Sequence, residues 1–282
     1  MRYVRRHNAV RKKRRALASG GLRGRAQRAT PATGLPHGRA ARYTGAQRQE
    51  IMNYTYEDMA KMIDHSLLNP TLTVDDLERG IQLALEYDVA SVCIMPYYLK
   101  PCAEALRGSR VNASTTVGFP HGGHTTAIKV AEARQALADG CQELDLVVNI
   151  SKVLSGDWSY VRADVGAVIE AAHAAGQKAK VIFENCYLSD AQKIRLCEIC
   201  GELRADWVKT STGYGTGGAT LEDLALMRRH SPDYVQVKAA GGVRDLDALL
   251  EVRALGVTRV GATRTAAMLD ECKRRLAVSS AG

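Results

Sequence analysis

Asp206-Trp207-Val208-Lys209-Thr210-Ser211-Thr212-Gly213 and Tyr234-Val235-Gln236-Val237-Lys238-Ala239-Ala240-Gly241-Gly242 follow one plan. Each is a short, apolar, β-branched run that stops at a lysine and then breaks into glycine. Runs this apolar read as strands covered on both faces, which is the habit of a parallel sheet. Working outward, the same signal recurs at Met62–Ser66, Ala90–Met95, Ser114–Phe119, Glu143–Asn149, Lys178–Glu184 and Arg259–Ala262. With Trp207–Thr210 and Val235–Lys238 that makes eight strands. Helical stretches alternate with them: Val74–Tyr87, Pro96–Leu106, Thr126–Asp139, Trp158–Ala175, Ser189–Leu203, Leu221–His230, Asp245–Leu255 and Thr265–Leu276. Eight βα units predict a closed (β/α)8 barrel as a single domain. A doubly wound sheet is the competing arrangement, but no GxGxxG follows the first strand. Local signals agree. Thr73 and Ser189 are placed to cap helices, and Gly108, Gly140, Gly176 and Gly256 stand where helices end.

Of the 39 Lys and Arg and 30 Asp and Glu, 14 basic residues and one acidic residue (Glu50) fall in residues 1–50, so the overall charge of +9 divides into +13 there and −4 beyond. Residues 1–51 also lack hydrophobic periodicity and read as a disordered basic arm; residues 52–282 form the barrel. The arm is open to three readings: a polyanion binder, an organelle transit segment, or an extension upstream of a start at Met52, which is favoured. Nucleic-acid binding is expected only through residues 1–51. The seven scattered cysteines and the absence of a signal-like apolar stretch point to reduced thiols in the cytoplasm. Cys197 and Cys200 form a lone CxxC in a helical stretch, read as small buried residues rather than metal ligands. No metal and no membrane span are expected.

In a barrel the catalytic side chains stand at the C-terminal strand ends. Lys209 and Lys238 stand there. A buried amine beside another cation gives up its proton easily, and a neutral amine attacks carbonyls to form a Schiff base. The alternative is two lysines that merely end strands in solvent. Asp145 lies inside Glu143-Leu144-Asp145-Leu146-Val147, and a carboxylate buried there needs a cation partner, in a catalytic network or in a structural ion pair. Period-2 alternation puts Glu143, Asp145, Val147 and Asn149 on one face. Asp64 either completes that network or caps backbone amides. Gly213, Gly241, Gly242, Val243, Gly261 and Thr263 lie in turns whose amides can approach a phosphate, and Arg244 and Arg264 add charge.

Together, Asp64-His65-Ser66-Leu67-Leu68, Ser91-Val92-Cys93-Ile94 with Pro96, Gly118-Phe119-Pro120-His121-Gly122, Glu143-Leu144-Asp145 with Asn149-Ile150, Val208-Lys209-Thr210-Ser211-Thr212-Gly213 and Val237-Lys238-Ala239-Ala240-Gly241-Gly242-Val243-Arg244 resemble 2-deoxyribose-5-phosphate aldolase, a class I aldolase family. The likeness runs from about Tyr56 to Leu276. It implies a metal-independent lyase that cleaves 2-deoxy-D-ribose 5-phosphate reversibly into acetaldehyde and D-glyceraldehyde 3-phosphate. By motif, Lys209 resembles the Schiff-base lysine, Lys238 the lysine that lowers its pKa, and Asp145 the proton relay. No cofactor is implied, and a homodimer or homotetramer is. Tyr214 stands where some members have a lysine, and Thr263-Arg264 where many have two serines. The other readings are a class I aldolase for another aldehyde or sugar phosphate, and a non-catalytic sugar-phosphate-binding barrel.

Overall fold

The computed structural model describes residues 53–279; the expected basic arm and the start at Met52 lie outside them. Eight parallel strands close on themselves in sequence order: β1 Ile63–Leu67, β2 Ser91–Ile94, β3 Asn112–Val117, β4 Glu143–Val147, β5 Lys178–Ile182, β6 Trp207–Lys209, β7 Gln236–Ala240 and β8 Val257–Ala262. The chain folds as a TIM barrel. Among the described residues, ten α-helices alternate with the strands: α1 Tyr56–Ala60, α2 Val74–Glu86, α3 Leu99–Ala105, α4 Thr126–Ala138, α5 Ile150–Leu154, α6 Trp158–Ala174, α7 Asp190–Glu202, α8 Leu221–His230, α9 Leu246–Ala254 and α10 Thr265–Ser279.

The outward residues of the strands are apolar because the helices cover them. Val92, Ile94, Leu144, Leu146, Val181, Val208, Val237 and Val260 are all buried against helix residues such as Leu77, Val165, Leu196, Leu249 and Leu269. Burial on that side releases water from both layers and holds the ring closed. The inward residues are different in kind, and they build the site.

Helix starts follow local chemistry. Thr73 and Ser189 each accept from the N3 amide, while Asp76 and Gln192 reach back to the cap amide, two complete capping boxes. Gly108, Gly140, Gly176 and Gly256 take φ of 82°, 96°, 70° and 82°, the left-handed region that ends a helix. One helix differs from its expectation. Pro96–Leu106 is not continuous: Pro96–Tyr98 is a 3-10 turn, and α3 begins at Leu99. Pro96 and Pro101 offer no amides there, which shortens the run of backbone hydrogen bonds available to an α-helix. Helices α1 and α5 were not expected. Each is five residues long, too short for a periodic pattern to show. Cys197 and Cys200 are buried, as small core residues should be.

Candidate active site

Strand register brings the polar inward residues together. Asp145 pairs with Lys180 between β4 and β5, Lys209 with Lys238 between β6 and β7, and Lys238 with Arg259 between β7 and β8. Side chains at these positions meet inside the ring. Asp145 is the hub. Its Oδ2 accepts from Lys209 Nζ at 2.6 Å and Lys238 Nζ at 2.7 Å, and its Oδ1 accepts from Lys180 Nζ at 2.9 Å. A second layer lies deeper. Lys180 Nζ is 2.6 Å from Glu143, Lys238 Nζ is 2.5 Å from Asp64 Oδ2, and Arg259 bonds both Asp64 and Glu143. Ser91 Oγ donates to Asp64 Oδ1 at 2.7 Å. The Trp207 ring lies against this layer, 5.0 Å from the Arg259 guanidinium and 5.7 Å from Lys180 Nζ.

Four cations, Lys180, Lys209, Lys238 and Arg259, thus meet three carboxylates, Asp64, Glu143 and Asp145. All are at least nine-tenths buried. A buried cluster with one cation too many is relieved if one amine is neutral. Burial and the neighbouring Lys238 lower the pKa of Lys209 against the pull of Asp145. Burial alone would lower Lys238 too, but Asp145 and Asp64 outweigh it and raise the value. Lys180 goes the same way: Asp145, Glu143 and Asp64 overcome burial and raise it. Burial opposes ionisation of Asp145, yet the three surrounding lysines hold its carboxyl well below the usual range. Lys209 is therefore the amine set to lose its proton, between an anionic Asp145 and a protonated Lys238.

Asp64 joins the network rather than capping amides. Asn149 does not join it; its side chain accepts from Lys152 N and caps α5. Lys180 and Arg259 belong to the network beyond the residues expected from the sequence. Each is a charged residue in a strand, the same signal that marked Asp145.

The proposed phosphate residues cluster at the ends of β6, β7 and β8. Gly213, Gly241 and Gly242 have φ of 88°, 76° and 110°. Gly218 must be glycine as well: a Cβ there would stand 2.4 Å from Gly241 O. The β6 and β7 loops consequently touch backbone to backbone, and Ala219 N donates to Ala240 O and Gly241 O. Val243 is buried, while Arg244, Thr263 and Arg264 are exposed at the rim beside Gly261. Glu184, just past the end of β5, enters the expectations from the sequence only as the last residue of a strand. It is buried, and burial raises its carboxyl. It accepts from Thr212 N at 3.2 Å and from Thr212 Oγ1, which fixes the start of the β6 loop.

The family model described as DeoC/LacD family aldolase matches residues 58–265. Deoxyribose-phosphate aldolase of Rhodopirellula baltica is 70% identical over 226 residues, covering 80% of this chain and 94% of that protein. The enzyme of the same name from Thermococcus gammatolerans is 45% identical over 206 residues, 72% of this chain and 92% of its own length. Among solved structures, the tetrameric deoxyribose phosphate aldolase of Aeropyrum pernix superposes with a TM-score of 0.73 at 27% identity, covering 81% of this chain and 96% of that one. Fold, the paired lysines beside Asp145 and the matched span converge: the chain belongs to the DeoC/LacD family of aldolases.

Proposed function

We propose that this protein is a deoxyribose-phosphate aldolase, a class I lyase that works through an imine on Lys209. The observation that carries the reading is the pair of amines sharing Asp145 Oδ2 in a buried cluster with one excess cation. Neutral Lys209 attacks C1 of open-chain 2-deoxy-D-ribose 5-phosphate, and loss of water gives the iminium. Asp145, relaying through a solvent molecule, takes the proton of the C3 hydroxyl. The C2–C3 electron pair flows into the iminium, C3 becomes the aldehyde of D-glyceraldehyde 3-phosphate, and an enamine remains on Lys209. Protonation at the enamine carbon and addition of water release acetaldehyde and the free amine. Lys238 stays protonated throughout, and its field keeps Lys209 neutral. Asp64 and Lys180 hold Lys238 and Asp145 in place. Gly213, Gly241, Gly242, Val243, Arg244, Gly261, Thr263 and Arg264 receive the phosphate at the rim. A barrel that only bound sugar phosphates would have no use for amines clustered on one carboxylate.

The protein is proposed to act in the cytoplasm and as a homo-oligomer, in keeping with the tetrameric Aeropyrum pernix relative. Among the described residues no helix is long and apolar enough to cross a membrane. Borohydride reduction in the presence of acetaldehyde, followed by peptide mass spectrometry, tests the chemistry. A reduced two-carbon adduct on Lys209 is expected; a folded protein without one would refute the imine.

A further inference from the structure

We propose that Tyr214 is a gate on the catalytic well: its side chain bars the barrel mouth, and a carbonyl compound reaches Lys209 only when the bar swings clear. The inference rests on the imine reading above. In the closed ring β6 stands opposite β2, and β1 and β3 flank β2. Tyr214 hangs from the loop after β6. Yet its Oη donates to Leu68 O, just past β1, at 2.6 Å. Its ring also meets Phe119, just past β3, edge to face, with centroids 5.4 Å apart and planes at 86°. A side chain that starts on one side of a closed ring and touches loops on the other side has to pass over the opening. Beneath it, the side chains of Lys209, Lys238 and Asp145 are 4%, 1% and 0% exposed.

The two ends of the bar are held differently. At its root, Thr212 Oγ1 donates to buried Glu184 and accepts from Tyr214 N at 2.9 Å. Glu184 itself sits at φ 59°, a left-handed conformation that a non-glycine residue keeps only where its surroundings enforce it. Gly215 is pressed against it, since a Cβ there would be 2.9 Å from the Glu184 carboxyl carbon. The far end rests on one hydrogen bond and one ring contact, and Tyr214 is 45% exposed. Contacts of these two kinds at a wet surface together favour the closed arrangement by roughly tenfold. The root holds while the tip releases. The bar is neutral and aromatic, so it screens by size: a small unbranched aldehyde needs the least opening and a ketone needs more.

The test is the rate of reductive trapping at Lys209, followed by mass spectrometry in the full chain and in Tyr214→Phe and Tyr214→Ala, with acetaldehyde and with acetone. Release of an exposed side chain is fast beside imine formation and reduction, so the trapping rate scales with the open population. Tyr214→Ala, which removes both contacts, should trap acetaldehyde about tenfold faster. Tyr214→Phe, which removes only the hydrogen bond, should fall between it and the parent. Acetone should gain more than acetaldehyde, and the pH profile should not move. Loss of a merely structural side chain slows trapping, so rates at or below the parent's in the variants overturn the gate. If Tyr214→Ala does not fold, Tyr214→Phe decides by the same criterion. A folded parent chain that forms no adduct on Lys209 overturns the imine reading and the gate with it; an adduct formed equally fast in all three overturns the gate alone.

Discussion

Replacing Lys238 by leucine should move the pH at which Lys209 works, and the size of the effect follows from the geometry. Both amines contact the same oxygen, Asp145 Oδ2, at 2.6 and 2.7 Å. The two nitrogens therefore stand no more than about 5 Å apart, and at an effective dielectric of about 20 their repulsion is on the order of 3 kcal/mol. That repulsion disfavours a proton on Lys209. Without it, the neutral fraction of Lys209 at a pH below its pKa drops roughly a hundredfold. The sign is definite. Lys209 has a lowered pKa, caused first by burial and then by Lys238. Removing Lys238 raises it, so activity is lost near neutrality and returns as the solution is made alkaline. Initial rates of 2-deoxyribose 5-phosphate cleavage and borohydride trapping, both followed from neutral to alkaline pH, would measure this. Lys238→Arg keeps the cation and should keep the profile in place. Lys238→Leu with parental activity at neutral pH, or with a loss that is the same at every pH, would refute the electrostatic role.

Lys180→Met removes one of the three amines from buried Asp145 and leaves Glu143 with Arg259 as its remaining cation, so it should lower stability by about 3–5 kcal/mol in urea unfolding as well as raise the Lys209 pKa. Lys129→Met is the control for stability alone. Lys129 and Asp164 form a fully buried pair at 2.6 Å between helices α4 and α6 rather than on the strands that carry the network, and breaking it should cost a similar amount, about 3–5 kcal/mol, with the pH profile of trapping unmoved. Arg264→Ala should raise KM for 2-deoxyribose 5-phosphate and leave KM for unphosphorylated 2-deoxyribose unchanged; equal effects on both would remove Arg264 from the phosphate site.

Lys209, Lys238 and Asp145 were legible because each interrupts an apolar strand, where an unpaired charge is costly. Lys180 carries the same mark, yet Lys178-Ala179-Lys180 also reads as a strand entering from solvent. Arg259 reads as the first residue of its strand, although β8 begins at Val257. In both cases the inward direction is settled by pairing with a neighbour: Asp145 opposite Lys180, and Lys238 opposite Arg259. Asp64 had two readings of equal standing until Lys238 and Arg259 were placed against it. Tyr214 follows no periodicity, and its partners lie in the loops of distant strands.

Strand count, alternation with helices, helix caps and the interruption of apolar strands by Lys209, Lys238 and Asp145 were determined by the chain itself. These depend on hydrophobic period and backbone chemistry, which act between residues a few positions apart. The charge balance of the well belongs to the tertiary structure alone. Lys180, Lys209 and Lys238 are 35, 64 and 93 residues from Asp145 along the chain, and closure of the barrel brings all three within hydrogen-bonding distance of it. Which amine loses its proton depends on separations of a few ångströms in a medium that screens poorly. Those separations exist only once the ring has closed.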